Sequence, residues 1–495
     1  MACLIPFYLL FIAILWQVCS SSVISGQTHS RAGPDLTKLP SFPSKPRIFV
    51  LSDILNEPDD EMSLVRFLLY SNHFDVQGIC ATTSASIRND THPEAIRKII
   101  HAYGTVVDNL NHHAHPKSRF RHADELLSLV SSGPKVYGKE ALNQPLSDGA
   151  RQLIQRLEAS EEPLYVGIWG GPNTLAQALQ HIHKTKSPPM ASELRSRLRV
   201  YAISDQDDSG IWIRINWPDL FYIVTVHGFQ EYSTATWSGI NSLDNGAANA
   251  TKVQDAWLTP NIRVGPLSAV YPLILYGMEG DSPSFMWLIQ NGLSNRERPD
   301  WGGWGGRYSR IVDSEDINEY GMSHDTATGL TGTPYTSVHA TVWRWRDAYQ
   351  DDFAARMQVN GSEGFEALHI QLQFNTSITL DASETFDPDH PADTSQLDFE
   401  WFTYLEAGFP QGSGLSRNFV EIKPLSSVPG TNGTLTTNEA GFNQVALGDK
   451  VQIKHLIPNR TILFEREWHV ILQVRTKKGQ YPIRRYKRIV IKPSN

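Results

Sequence analysis

Apolar and polar residues follow two successive patterns along the chain. Between residues 46 and about 357, runs that are apolar throughout alternate with segments of helical periodicity such as NTLAQALQHI. A strand that is apolar throughout is typical of a parallel sheet covered on both faces, so these runs predict buried parallel strands. The runs are RIFVLS, VQGICATTS, PLYVGIW, RVYAIS and FYIVTV. The alternation therefore predicts an α/β fold, a mostly parallel sheet covered by helices.

From about residue 365 the pattern changes to short alternating runs separated by Gly, Pro, Asn and Asp. Runs such as SITLDAS, LDFEWFTYLE and QVALGDKVQIKHL have the period of half-buried strands, and seven of them predict an antiparallel β-sandwich. We therefore expect a first domain over 45–358, closed by a helix over 342–358, and a second domain over 365–495.

Composition narrows the class of protein. A formal charge of −8 and a pI near 6.1 argue against nucleic acid as a partner.

The apolar stretch at the start predicts a signal peptide over 1–25, and it is shorter than the ~20 residues that a spanning helix needs. We expect a secreted protein with no membrane contact after cleavage, and an uncleaved anchor is the alternative. Six acceptor triplets predict glycans at Asn89, Asn249, Asn360, Asn375, Asn432 and Asn459.

The run FVLSDILNEPDDEMSLVRFLLYS, residues 49–71, predicts a strand, a tight acidic turn and a helix. Ligands of open α/β sheets bind beyond the carboxyl ends of the strands, where this turn lies. Its carboxylates are those of Asp53, Glu57, Asp59, Asp60 and Glu61. Because Ca²⁺ takes six to eight oxygen ligands, the turn is a candidate metal site that needs further oxygens from remote loops. The alternative is that Asp59 only caps the helix.

The segment DILNEPDD, residues 53–60, resembles the D-x-D-x-x-D-D signature of nucleoside hydrolases, which also follows the first strand. The longer motifs SDQDDSGIWIRINWPDLFYI, EGDSPSF and RPDWGGWGGRY are similar to a secreted branch of that superfamily. Members of this branch join a nucleoside-hydrolase-like domain to a C-terminal immunoglobulin-like domain and are often labelled cellulose-binding proteins. The resemblance covers nearly the whole chain after the signal peptide, so it implies an immunoglobulin-like form for the predicted sandwich.

The resemblance also implies one Ca²⁺ at the strand ends, which grips two ribose hydroxyls. Carried over residue by residue, it assigns Asp59 to the ribose hydroxyls. The implied metal ligands are Asp53, Asp60, the backbone carbonyl of Trp169, and Asp281.

Two positions depart from the family pattern. Leu55 replaces the aspartate that ligates calcium and activates water, and leucine has no oxygen to do either. Asn56 or Glu57 is then the nearest source of the missing oxygen, and Glu57 the nearest replacement base. Gly280 stands where purine-using members carry a histidine that protonates the leaving base. Without that histidine, we expect departure of a poor leaving group to be slower by roughly 10²–10⁴-fold, the usual contribution of acid–base catalysis.

Two further segments supply candidate substrate contacts. The resemblance implies sugar-hydroxyl ligands in the loop with Asp205, Asp207 and Asp208, and a solvated acidic loop is the alternative. The glycine-rich segment RPDWGGWGGRYSR offers Trp304 for stacking on a sugar and Arg307 for a hydrogen bond, unless these rings pack into the core.

The sequence thus predicts a Ca²⁺-dependent hydrolase of an N- or O-glycosidic bond, with Asp59 and Glu57 in catalytic roles. The expected ligand is a carbohydrate or nucleoside-like molecule, and the missing histidine favours a plant-wall or microbial glycoside. A non-catalytic cellulose- or carbohydrate-binding protein that keeps the sugar pocket is the alternative. A structural module whose acidic turn is only a helix cap is a third.

Overall fold

The computed structural model describes residues 41–42, 44–358, 368–373, 375–385, 394–408, 420–456, 467–477 and 479–494. The predicted signal peptide, Asn360 and Asn459 lie outside these ranges. Among the helices of these ranges, none combines the length and the hydropathy that crossing a membrane requires.

An eight-stranded sheet forms the core of the N-terminal region. Its strands are β1 (Arg47–Ser52), β2 (Asp75–Ala81), β3 (Val130–Ser132), β4 (Leu164–Ile168), β5 (Leu198–Ala202), β6 (Phe221–Val224), β7 (Tyr308–Arg310) and β8 (Glu319–Met322). The order is β3-β2-β1-β4-β5-β6-β8-β7, and every pair is parallel except β7 with β8. The mostly parallel sheet is confirmed, and the five predicted strands are its central ones.

Helices pack on both faces of this sheet. They are α1 (Asp59–Leu69), α2 (Pro93–Gly104), α3 (Val107–His112), α4 (Ala123–Leu127), α5 (Asp148–Glu158), α6 (Asn173–Thr185), α7 (Pro188–Ser196), α8 (Ser209–Asn216), α9 (Asp255–Asn261), α10 (Pro283–Met286), α11 (Ala340–Trp343) and α12 (Arg346–Met357). The sequence of β1 is apolar throughout because the strand is buried on both faces. Ile48 and Val50 belong to one core cluster, and Phe49 and Leu51 belong to another. The single helix predicted over 342–358 is wrong, because the helix is interrupted at Arg344 and Trp345.

The C-terminal region is built of two sheets. After the hairpin of β9 (Asp325–Thr328) and β10 (Pro334–Ser337), it contains β11 (Leu368–Gln373), β12 (Ser377–Asp381), β13 (Leu397–Thr403), α13 (Leu405–Gly408), β14 (Val420–Pro424), β15 (Thr434–Thr437), β16 (Asn443–Leu447), β17 (Lys450–His455), β18 (Trp468–Thr476) and β19 (Arg484–Ser494). The sheets run β11-β19-β18-β13-β16-β15 and β12-β17-β14. Both are antiparallel except for the pair β11–β19, so the region is consistent with the predicted sandwich.

A buried charge network links the two regions. The Asp325 carboxylate accepts hydrogen bonds from Arg307 Nε at 2.7 Å, Arg344 at 2.8 Å and the Tyr404 hydroxyl at 2.7 Å. Burial by itself raises the pKa of Asp325, but the two arginines outweigh burial and hold it below its usual value. Arg344 also lies 3.7 Å from the ring centre of Phe442, so both regions share one core.

Replacing Asp325 with alanine leaves Arg307 and Arg344 buried without their shared counter-ion. We expect the free energy of unfolding to fall by about 3–5 kcal/mol, as for other broken buried ion pairs. Urea denaturation followed by tryptophan fluorescence measures this loss. Asp381→Ala is the control, since Asp381 pairs with Lys450 at 2.9 Å on the exposed surface, where an ion pair contributes little. Equal losses in the two variants would contradict the role of the network.

Candidate functional site

The candidate site lies beyond the carboxyl ends of β1, β4, β5 and β6, which are adjacent in the sheet. Asp53 directly follows β1 and is buried, and its carbonyl accepts a 3.0 Å bond from Asn56 N that closes the turn. Asp59 and Asp60 then form the first turn of α1, whose dipole favours negative charge at this end. Asp60 is also buried and accepts a 2.5 Å hydrogen bond from the Ser52 hydroxyl.

Asp281, more than 200 positions further along the chain, completes an acidic cluster. One carboxylate oxygen from each of Asp59, Asp60 and Asp281 lies within 4.8 Å of the other two. Gly280 supports the arrangement, because its backbone N–H donates to Asp59 Oδ2 at 3.2 Å. The structure therefore brings the remote carboxylate of Asp281 to the acidic turn.

The electrostatics of this cluster are unbalanced. Burial, followed by mutual repulsion, raises the pKa of Asp60 and of Asp281 well above the usual range. Burial likewise raises the pKa of Asp53 and of Asp59 to about 7. Within the part of the chain that the structure describes, none of these four carboxylates forms a salt bridge. Buried carboxylates without a cationic partner are costly unless they are protonated or hold a cation.

The donor set fits a hard cation such as Ca²⁺. Asp53 Oδ2 and Asp281 Oδ2 are buried without a hydrogen-bond partner, so both are available as ligands. The backbone of Trp169 follows β4 and lies beside β1, with its N–H donating to the Leu51 carbonyl at 2.7 Å. The Trp169 carbonyl accepts a 2.5 Å bond from Gln206, which leaves one lone pair for a metal.

Two glycines after Trp169 allow the loops to approach each other. A Cβ on Gly170 would lie 2.7 Å from Asp53 Oδ1. A Cβ on Gly171 would collide with Asp207 Oδ2. Only glycine fits at either position, and the pair separates Asp53 from Asp207.

Of the three aspartates after β5, only Asp207 points a free oxygen toward the site. It is buried, it accepts a 2.7 Å bond from Ser209 N at Oδ1, and its Oδ2 has no hydrogen-bond partner. Asp205 instead forms two 2.8 Å bonds with Arg214, and Asp208 is exposed and accepts from Lys139 N at 2.8 Å. The structure thus gives Asp205 and Asp208 protein partners, and their assignment as substrate ligands stays a prediction.

The structure places Trp304 and Arg307, predicted to stack on and hydrogen-bond a sugar, inside the protein. Both side chains are about 1% exposed, and they lie in the core that the two regions share. The Arg307 guanidinium is engaged by Asp325 and by the His324 carbonyl. Neither residue presents a surface to a sugar, because the glycine-rich loop folds its large side chains inward.

The turn residues before α1 occupy the mouth of the site. Leu55 has a φ of 74° and an exposed fraction of 49%. Asn56 is half-buried, and Glu57 is partly buried, which raises its pKa. The left-handed conformation of Leu55 is uncommon for a leucine, and strained backbone of this kind clusters at functional sites.

An aromatic wall beside the cluster was missed by the sequence analysis. Trp237 packs on Gly280, and the ring centre of Tyr232 lies 6.0 Å from that of Trp237. Burial raises the pKa of Tyr232, and the charges of Asp53 and Glu57 raise it further. The available signal was position alone, since the segment HGFQEYSTATW follows β6 and hence falls at the same edge of the sheet.

The predicted glycosylation sites differ in exposure. Asn89, Asn375 and Asn432 are exposed, whereas Asn249 is half-buried. Glycosylation at these positions stays a prediction.

Two family models match the sequence. The model described as "Cellulose-binding Sde182, nucleoside hydrolase-like domain" matches residues 47–308. The model described as "Cellulose-binding protein Sde0182, C-terminal domain" matches residues 377–493. The fold and the acidic strand ends are thus those of a nucleoside-hydrolase-like protein. Within that class, the chain belongs to the Sde182 family of cellulose-binding proteins.

One solved structure agrees with this assignment, and a second is reported for comparison. A nucleoside hydrolase-related protein from Saccharophagus degradans, described as associated with carbohydrate metabolism, aligns with 91% of this chain and 100% of its own, at 25% identity and a TM-score of 0.67. An inosine-uridine preferring nucleoside hydrolase from Bacillus anthracis aligns with 63% of this chain and 99% of its own, at 14% identity and a TM-score of 0.34. None of the curated proteins matches the sequence significantly.

The buried Asp207 predicts a pH dependence of stability. Burial raises its pKa to about 7 in the folded protein, whereas the unfolded chain releases the proton near pH 4. Raising the pH from about 4 to about 7 therefore favours unfolding at this residue, by about 1.4 kcal/mol per unit of pKa difference. We expect the melting temperature of Asp207→Asn, relative to that of the wild type, to increase as the pH is raised from about 4 to about 7, with chelator present. The exposed Asp148→Asn is the control, and a parallel pH profile for Asp207→Asn and wild type would refute the prediction.

Proposed function

We propose that this protein is a secreted, Ca²⁺-dependent hydrolase of a glycosidic bond in a carbohydrate or nucleoside-like ligand. The observation that carries the proposal is the cluster of half-buried Asp59 with buried Asp60 and Asp281, for which the described residues supply no cationic partner. A protein that used these residues only to cap a helix would have no need for Asp281 in the same cluster. The family description adds carbohydrate as the class of ligand.

The roles follow from position. Asp53, Asp60, Asp281 and the carbonyl of Trp169 would hold the Ca²⁺. When bound, the ion balances the carboxylates and polarises a sugar hydroxyl or a water. Asp59 is the least enclosed member of the cluster, so it is the one placed to accept hydroxyl groups of a sugar.

Glu57 is the candidate base of the reaction. Its carboxylate is partly exposed at the mouth of the site, and burial raises its pKa. A carboxylate of raised pKa takes a proton more readily near neutral pH, which suits removal of a proton from the attacking water.

A second function, carbohydrate binding without turnover, is favoured by two specific observations. Leu55 removes the base that the family signature carries, and Gly280 removes its acid. Trp237 also blocks position 280, since a Cβ there would lie 2.8 Å from Trp237 Cζ3. A histidine could not enter without displacement of the indole. The cluster of Asp59, Asp60 and Asp281 survives these changes, whereas the proton donor does not.

Calcium binding tests the metal site. We expect isothermal titration calorimetry to show one Ca²⁺ per chain and a melting temperature that rises with Ca²⁺. Asp60→Asn and Asp281→Asn should each lower the affinity by more than about tenfold, the loss that even outer-shell changes cause. The exposed Asp313→Asn is the matched control. Wild-type protein that neither binds Ca²⁺ nor gains stability from it would exclude the proposal.

Leu55→Asp separates the hydrolase from the binding protein. Aspartate tolerates the left-handed backbone better than leucine and restores the missing carboxylate. We expect sugar release from ribosides or plant oligosaccharides to rise by roughly 10²-fold, the lower end of acid–base contributions. Leu55→Asn has a similar backbone preference without the base, so it controls for relief of strain. No release by either variant or by wild type, in protein that binds Ca²⁺, would favour the binding function.

A further inference from the structure

Three side chains on the loops after β6 and β10 form a hydrogen-bonded chain outside the acidic cluster. Ser238 Oγ lies 3.1 Å from His339 Nε2, and His339 Nδ1 lies 2.7 Å from Asp244 Oδ1. A serine hydroxyl on one nitrogen of an imidazole and a carboxylate on the other are the three parts of a nucleophile activated by a general base. Such a set is recognised by its geometry and not by its order in the sequence.

The Asp244 carboxylate is fixed in place and kept ionised. Besides His339, the Ser242 hydroxyl donates to its Oδ1 at 2.7 Å, and Trp343 Nε1 donates to its Oδ2 at 2.6 Å. The Ser337 hydroxyl also donates to Oδ2. Burial by itself raises the pKa of Asp244, but the hydrogen bonds outweigh burial and hold this pKa below its usual value. The carboxylate is therefore a permanent acceptor for the imidazole.

This acceptor sets the protonation of His339. A neutral imidazole carries a single N–H, and with Asp244 as its acceptor the proton is on Nδ1, so Nε2 faces Ser238 as a base. The Ser238 hydroxyl also reaches the carbonyl oxygens of Ala235 at 2.7 Å and Ser233 at 3.4 Å, but only the imidazole can take its proton. The His339 side chain is 14% exposed and Ser238 is half-buried, so a substrate can approach both.

The backbone brings the serine and the carboxylate close to this histidine. A Cβ on Gly239 would lie 2.6 Å from the His339 carbonyl oxygen and 2.9 Å from its Cα, so glycine allows the turn after Ser238 to contact the histidine. Asp244 and Asn245 are consecutive residues with positive φ, 42° and 55°. Left-handed backbone is uncommon outside glycine, and such strain clusters at functional sites.

We propose that Ser238, His339 and Asp244 form a second hydrolytic site, which cleaves carboxylic esters through an acyl-serine. Ser238 Oγ forms a bond to the carbonyl carbon of the ester while His339 Nε2 accepts the hydroxyl proton. The bond from that carbon to the ester oxygen then breaks, and Nε2 returns the proton to the departing alcohol. Water attacks the acyl-serine by the same route, and release of the carboxylic acid restores the Ser238 hydroxyl.

An ester is expected as the substrate because an alcohol leaves more readily than the amine of an amide. Its departure requires one proton, which His339 supplies, and neither a metal ion nor a redox partner takes part. The site also shares no carboxylate with the acidic cluster at the strand ends. The inference is therefore independent of the proposed Ca²⁺-dependent hydrolase.

A fluorophosphonate probe, which bonds covalently to base-activated serines, tests the reactivity of Ser238. We expect a label at Ser238 in the folded protein, located by peptide mass spectrometry, and none there after unfolding in urea. His339→Gln keeps a donor toward Asp244 but has no basic nitrogen, so labelling should slow by roughly 10²–10⁴-fold, the usual contribution of acid–base catalysis. Ser233→Ala is the matched control, since Ser233 is an exposed serine of the same loop, and it should label at the wild-type rate.

Turnover is measured with p-nitrophenyl acetate in the presence of chelator. We expect wild-type protein and Ser233→Ala to release p-nitrophenol, and Ser238→Ala to lose this activity. No release by the wild type, or release that Ser238→Ala leaves unchanged, would overturn the inference. So would equal labelling of Ser238 in the wild type and in His339→Gln, or in folded and urea-unfolded wild type, a comparison that needs no variant. Because chelator is present throughout, none of these results bears on the proposed Ca²⁺ site.

Discussion

Repulsion among four carboxylates at one end of the parallel sheet constrains the structure around them. Asp53, Asp60 and Asp281 are each 2–3% exposed, and no cation of the described residues pairs with them or with Asp59. Burial at such density is unfavourable unless their charge is removed or balanced. The chain lessens the cost through the N-terminus of α1, the Ser52 hydroxyl and the Gly280 N–H. These are weak compensations for four acids, and the cation proposed above would balance the charge that remains.

Local pattern was sufficient to predict the sheet, because a strand buried on both faces has an unmistakable apolar composition. It was also sufficient for the acidic turn, since carboxylates after a buried strand fall at a known edge. Local sequence pattern failed to predict the place of a residue that depends on an interaction partner distant in sequence. Arg307, a charged residue on a glycine-rich loop, was predicted to bind a ligand. It lies in the core because Asp325 pairs with it there and is itself held by Tyr404. Asp281 was reachable by family resemblance alone, because nothing local distinguishes it from any loop aspartate.

The aromatic wall shows the converse limit. Trp237 and Tyr232 lie in a loop with no recognisable motif, and their place beside Asp59 results from the order of β5 and β6 in the sheet. Sequence could identify Gly280 as a departure from the family, but it could not say what fills the space. The structure shows that the Trp237 indole lies where a side chain at position 280 would begin. A small residue at 280 is the condition for the indole to reach the pocket.

The core shared by the two regions has a consequence for how such proteins evolve. Phe402, Tyr404 and Phe442 of the sandwich belong to the same cluster as Trp304 and Tyr349 of the α/β region. A recombination event that exchanged the sandwich for an unrelated module would expose this surface and remove Tyr404 from Asp325. The C-terminal sheets are thus not an interchangeable accessory, because they complete a core that the α/β region shares. Variation in ligand preference within this lineage is accordingly expected in the loops after β1, β5 and β6, which carry Asp53, Asp207 and Trp237.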